Sequence, residues 1–170
     1  TETAVNVLRN GGNAMDAAIA ACAVQGVVEP ESTGIGGDCF CLYSKGGSDK
    51  VIAMNGSGRA PIALTAEWLL DQDISEIVQH SPHAVTIPTA VDAWVQLNRD
   101  YGSKPLSELL DPAIDFAENG FPIGQRVAAD FAASRELILR DPDMAEQYLN
   151  DGEDYKFGDR LANPRLGKTM

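Results

Sequence analysis

The period of the apolar positions changes several times along the 170 residues, and each change predicts an element. Residues 2–9 put Val5 and Leu8 on one side of a short helix, which Gly11-Gly12 should stop. Asn13 then stands as the N-cap of a second helix, with Asp16 three residues on at its positive end. From Ala14 to Val24 this helix is apolar except for Asp16. With no polar face, it must be covered on every side. Its small side chains let neighbouring backbones come close, which suits the middle of a layered α/β protein.

The period then shortens to two. Cys39–Ser44 and Lys50–Met54 read as strands joined by the turn Gly46-Gly47-Ser48-Asp49, a hairpin signal. Beyond it the chain turns mostly helical. Thr65 caps "AEWLL", and Ala84–Ile87 predicts a short strand. Thr89 should cap a helix carrying Val91, Trp94, Val95 and Tyr101 on one side. Apolar residues keep helical spacing over 106–117, where Asp111-Pro112 predicts a kink or a restart, and Gly120 ends the run. Val127, Phe131, Ser134 and Ile138 stripe a further helix, and Asp141-Pro142 opens another. No repeat or linker divides residues 1–170, so the expectation is a single unit with no internal boundary. "LGKTM" closes it without a terminal element, as in a piece of something longer.

Composition removes several classes of function. A formal charge of −12 disfavours a nucleic-acid backbone or an anionic membrane surface as partner. The acidic stretch "RDPDMAEQYLNDGEDY" reads as a solvated surface segment. The apolar run 14–28 is shorter than the ~20 residues that span a bilayer. Three cysteines make no even disulfide framework and fit no zinc spacing, so they read as small core residues. Two histidines cannot form a multi-histidine metal cluster. Glycines 34, 36 and 37 lead into a strand, unlike the dinucleotide fingerprint, and no P-loop is present. Neither a metal nor a cofactor is expected.

The run "LRNGGNAMDAAIAACAVQGVVEPESTGIGGDCFCLY" resembles the opening of the gamma-glutamyltranspeptidase family. There a GGNAxDAAxA helix precedes a VxEPxxSGIGGGGF-like loop and strand. The resemblance continues, in order and spacing, through "HAVTIPTAVDAWVQLNRDYG", "PLSELLDPAIDFAENGFPI" and "FGDRLANPRLGKT". It implies part of an αββα four-layer N-terminal-nucleophile sandwich with a largely helical second half. It also implies a precursor that cuts itself into two subunits, this chain being the N-terminal portion of the large one. The partner would be the small subunit, whose new N-terminal Thr forms an acyl-enzyme with a small-molecule γ-glutamyl donor. On this resemblance the Ala-rich helix is a central layer, and the glycine loop leads from it into a central strand.

An N-terminal Thr can use its own amine as base, but the residues after Thr1 match the family's helix before GGN. Thr1 therefore reads as a truncation or a helix cap, and the nucleophile lies outside this chain. The family's R-E-x-A-P segment supplies an Arg for the donor's α-carboxylate. Aligned on Ala60-Pro61, the present chain has Ser57 at that Arg, Gly58 at the Glu, and Arg59 two positions late. Arg59 then reaches the carboxylate from a displaced position, or the site serves another, glutaryl-type acyl group as in the family's acylase-like branch, or Arg59 makes a structural ion pair. Ser57 and Arg59 are thus the expected substrate-binding residues. Asp38, where the family has glycine, reads as an exposed strand start. Glu29 and Glu31 flank Pro30 and read as anchors for neighbouring backbone. The alternative to an enzyme portion is a non-catalytic module reusing the fold.

Overall fold

A computed structural model describes residues 1–170. The chain is α/β with more helix than strand, and it divides into two compact units: residues 1–34 with 101–170, and residues 35–100.

The first unit is built on four helices: α1 (Glu2–Arg9), α2 (Ala14–Val28), α5 (Leu106–Asn119) and α9 (Pro164–Thr169). Helix α2 packs on α1 and α5, and α5 packs on α9. Asn13 caps α2 as its position predicts, and the cap is a reciprocal box. Its side-chain oxygen accepts from the amides of Met15 at 2.8 Å and Asp16 at 3.1 Å, and the Asp16 carboxylate accepts from the Asn13 amide at 2.8 Å. The Asp16 side chain is wholly buried and also ties down the turn after Tyr101. It accepts from the Ser103 amide at 2.9 Å, the Ser103 hydroxyl at 2.5 Å and the Lys104 amide at 3.3 Å. Burial alone would raise its pKa. The Ser103 hydroxyl and the amides of Asn13, Ser103 and Lys104 outweigh that and hold it below the ordinary aspartate value.

Helix α2 buries Met15, Ile19, Ala20, Ala23 and Val27, while a strip of Ala14, Ala18, Cys22 and Gln25 stays exposed. On α1 the half-buried side is Thr3, Ala4 and Val7, and the expected pair Val5 and Leu8 is exposed. Helix α5 runs without interruption through Pro112, neither ending nor restarting there. The expected stripe of Val127, Phe131 and Ile138 is buried, but Ser134 divides it between α6 (Gln125–Ala133) and α7 (Arg135–Ile138). Asp141 caps α8 (Pro142–Tyr148) by accepting from the amides of Asp143 and Met144. Residues 140–155 are not simply solvated: Leu149 is buried, and Tyr148 and Tyr155 set their rings edge-on to Phe131 at 5.4 and 6.4 Å. Residues Pro164–Thr169, expected to hold no element, form helix α9. Asn163 caps α9, accepting from the Leu166 amide at 3.0 Å, just after a two-residue ribbon of β3 (Phe121–Pro122) and β4 (Arg160–Leu161).

The second unit opens with the expected hairpin, β1 (Cys39–Tyr43) antiparallel to β2 (Ile52–Gly56), with Cys39 opposite Gly56 and Tyr43 opposite Ile52. Cys39, Cys41 and Tyr43 are half-buried, while Phe40 and Leu42 are exposed. Cys22 is exposed too and no disulfide forms, so none of the three cysteines is the fully buried core residue expected. Thr65 caps α3 (Ala66–Asp71) by accepting from the Trp68 amide at 3.1 Å. Residues 84–87 do not form the expected strand. Pro82–Ala84 makes a single 3-10 turn, and Ile87 then gives one backbone bond, to the Arg59 carbonyl at 3.0 Å. Helix α4 (Ala90–Tyr101) buries Ala90, Ala93, Trp94 and Leu97, so the core face is turned from the expected one and Val91 and Val95 are exposed. No helix of the chain is long and apolar enough to cross a membrane.

Candidate substrate-binding cleft

Strand β2 ends at Gly56, and the segment Gly56-Ser57-Gly58-Arg59 leaves it along an unusually tight path. A Cβ on Gly56 would stand 2.7 Å from both the Ala93 Cβ and the Cys39 carbonyl oxygen. A Cβ on Gly58 would stand 1.9 Å from the Ile87 carbonyl oxygen and 2.7 Å from the Thr86 hydroxyl. Neither glycine has a positive φ, so closeness rather than turn geometry demands them here. Between and beyond them, Ser57 and Arg59 are exposed. The Ser57 amide donates to the Asn55 side-chain oxygen at 3.0 Å.

Both residues line one cleft of about 300 Å³, together with Asn55, Thr89, Asp92 and Gln96. The structure therefore brings the two expected site residues together. Arg59 takes part in none of the ion pairs formed within residues 1–170. An exposed guanidinium of this kind offers a planar fork of donors suited to a carboxylate. Asp92 supplies the opposite charge in the same cleft, and its carboxylate accepts from the Gln96 side-chain NH2 at 2.6 Å. Asp92 and Gln96 were not expected from the sequence. Their one signal is spacing: Thr89, Asp92 and Gln96 follow at intervals of three and four, which sets them along one side of α4.

Thr89 does more than stand at the start of α4. Its hydroxyl donates to the Gly56 carbonyl at 2.5 Å. Its amide and that of Ala90 donate to the Gly37 carbonyl at 3.2 and 3.0 Å.

The other candidates lie apart from this chemistry. Thr1 sits at the N-cap position of α1 without a side-chain capping bond. Glu29 accepts from the Gln25 side chain at 2.8 Å, and its carbonyl accepts from the amides of Ser32 and Thr33. One Glu31 oxygen accepts from the Ser32 hydroxyl at 3.3 Å, and the other is buried without a partner. Asp38 is exposed, as expected of a strand start.

Residues 1–170 match the family described as gamma-glutamyltranspeptidase. Among similar proteins, the glutathione hydrolase-like YwrD proenzyme of Bacillus subtilis is 32% identical over 96% of this chain and 31% of its own length. The oxamate amidohydrolase proenzyme of Klebsiella pneumoniae is 34% identical over 100% of this chain and 33% of its own. Among solved structures, the Helicobacter pylori gamma-glutamyltranspeptidase superposes with a TM-score of 0.91 at 32% identity, covering 99% of this chain and 49% of that one. A cephalosporin acylase from Bacillus halodurans does so with a TM-score of 0.91 at 34% identity, covering 99% and 32%. The chain thus spans roughly a third of the curated relatives it matches.

Proposed function

Because the chain belongs to the gamma-glutamyltranspeptidase family, we propose that it is the N-terminal part of the large subunit of an amidohydrolase or acyltransferase whose donor carries a carboxylate bound by Arg59. On this reading residues 1–170 contribute to the four-layer sandwich as one portion of a precursor. The small subunit from that precursor brings the Thr that forms the acyl-enzyme, so this chain alone is inactive. The supporting observation is the exposed, unpaired Arg59 beside Ser57 in a cleft of small-molecule size.

The donor's chemistry narrows further. A γ-glutamyl and a glutaryl group share the terminal carboxylate, and only the first has an α-ammonium. Arg59 can therefore serve either donor. The choice between them falls on the ammonium, and Asp92 is the anionic group of this cleft that could meet it. Relatives bear on the same point: glutathione and oxamate, named in theirs, are both amides carrying a carboxylate.

The test uses γ-glutamyl, glutaryl and 4-aminobutyryl amides of one leaving group, with the intact protein. The third keeps the amine and lacks the carboxylate. Arg59→Ala should raise KM for the first two about 10- to 100-fold, the worth of a charge-assisted contact, and spare the third. Equal effects on all three would overturn the assignment.

A further inference from the structure

The segment that carries Arg59 is held at both ends by two residues, Ile87 and Thr89, with one residue between them in the chain. At one end the Thr89 hydroxyl donates to the Gly56 carbonyl at 2.5 Å. At the other the Ile87 amide donates to the Arg59 carbonyl at 3.0 Å, and the Ile87 carbonyl lies against Gly58 with no room for a Cβ. Pro88 stands between the two contacts, and its ring fixes its own φ. Thr89 is itself anchored, since its amide and that of Ala90 converge on the Gly37 carbonyl just before β1. The open mouth of the hairpin, Gly37 on one side and Gly56 on the other, is therefore clipped to the start of α4.

Thr89 also lines the cleft with Ser57, Arg59 and Asp92. A short hydroxyl-to-carbonyl bond at Gly56 limits how far the segment can swing at its start, and Arg59 lies three residues on. We propose that Thr89 is a positioning residue that sets the reach of Arg59 through the Gly56 carbonyl, and so the recognition of a carboxylate-bearing donor. This rests on the role of Arg59 given above. Thr89 touches no reacting atom on this account; it preorganises a guanidinium that would otherwise be ordered only on binding.

The intact protein is assayed as wild type, Thr89→Val, Thr89→Ser, Arg59→Ala and the Thr89→Val/Arg59→Ala double variant, with γ-glutamyl and 4-aminobutyryl amides. Thr89→Val keeps the shape and removes the donor. It should raise KM for the γ-glutamyl amide about three- to tenfold more than that for the 4-aminobutyryl amide, the worth of one hydrogen bond, and act on KM more than on kcat. Thr89→Ser should restore the γ-glutamyl KM, and the double variant should be no worse than Arg59→Ala, because both changes act on one contact. Equal loss for both donors, a loss confined to kcat, or full additivity in the double variant would leave Thr89 a purely structural residue and overturn the inference. A donor-selective Arg59→Ala beside a non-selective Thr89→Val defeats the Thr89 inference alone. A non-selective Arg59→Ala defeats both. Should Thr89→Val not accumulate as folded protein, Thr89→Ala gives the same comparison.

Discussion

Asp16 offers the sharpest test of how the first unit is held. Its wholly buried carboxylate accepts from the Asn13 amide at 2.8 Å, the Ser103 amide at 2.9 Å, the Ser103 hydroxyl at 2.5 Å and the Lys104 amide at 3.3 Å. Asp16→Asn keeps the shape and one acceptor oxygen but turns an NH2 group toward donors. Hydrogen bonds to a charged group contribute about 1.5–3 kcal/mol each and are not additive, so a loss of about 2–4 kcal/mol is expected. The pH dependence has a fixed sign. The folded pKa lies below the ordinary value, so the unfolded chain takes the proton first. The contribution is complete above the ordinary aspartate value of about 3.9 and is lost as pH falls through it toward the lowered one. Thermal unfolding of the intact protein at pH 7 and near pH 3 measures this. Hydrogen exchange at Ser103 and Lys104 reports the local effect. Wild type and Asp16→Asn should differ widely at pH 7 and converge in acid, with both amides exchanging faster in the variant. Equal stability at pH 7, or a difference that grows in acid, would refute the reasoning.

Three further outcomes follow from other parts of the chain. Gly58→Ala should destabilise the intact protein and weaken γ-glutamyl binding, because the new methyl meets backbone at Ile87 rather than a flexible side chain; wild-type melting and KM would count against it. Purified residues 1–170 should release no product from a γ-glutamyl anilide above buffer, since the nucleophile segment is supplied elsewhere on the proposed reading; measurable turnover would be incompatible with that. The same isolated chain should bind an apolar dye and self-associate, because Phe40, Leu42, Ile62 and Phe157 are 66, 79, 99 and 75% exposed. A monomeric, dye-silent chain would argue the other way.

What could be read in advance was governed by range along the chain. The Asn13 cap, the β1–β2 hairpin, the Thr65 cap and the helix start at Asp141-Pro142 are decided within a few residues, and all four form, the second strand two residues later than its pattern puts it, at Ile52–Gly56 instead of Lys50–Met54. Strand Ala84–Ile87 failed because β propensity without a neighbouring strand makes no ladder, and Pro82 starts a turn instead. On α4 the large residues Val91 and Val95 point to one face and the core takes another. Ala90 and Ala93 are buried because they let α4 approach closely, as the Ala93–Gly56 contact shows, and size alone gives no hint of that. The β3–β4 ribbon has two residues per strand, too few to set a period, and joins positions about forty residues apart. In the cleft, Ser57 and Arg59 were legible as neighbours on one strip. Asp92 and Gln96 enter from α4, more than thirty residues later, and no local pattern connects them to Arg59.

The departure from the family's R-E-x-A-P pattern is best understood as a coupled change. Gly58 stands at the position of the Glu, and the gap to the Ile87 carbonyl leaves space for a hydrogen only. A Glu there would displace residues 86–87, and with them the bond from the Ile87 amide that fixes Arg59. Restoring an arginine by Ser57→Arg alone would not recreate the family's arrangement. It would add a second guanidinium two residues from the first, in one small cleft, where like charges disfavour each other. Ser57 and Arg59 nonetheless line one cleft. An arginine shifted by two can then face the same cleft while Gly58 accommodates the close approach of residues 86–87. On the proposed role of Arg59, the 86–89 clamp is then part of the same substitution. Transplanting the R-E pattern into residues 57–58 alone should therefore destabilise the 86–89 clamp, and melting of the Ser57→Arg/Gly58→Glu variant at the wild-type temperature would refute this.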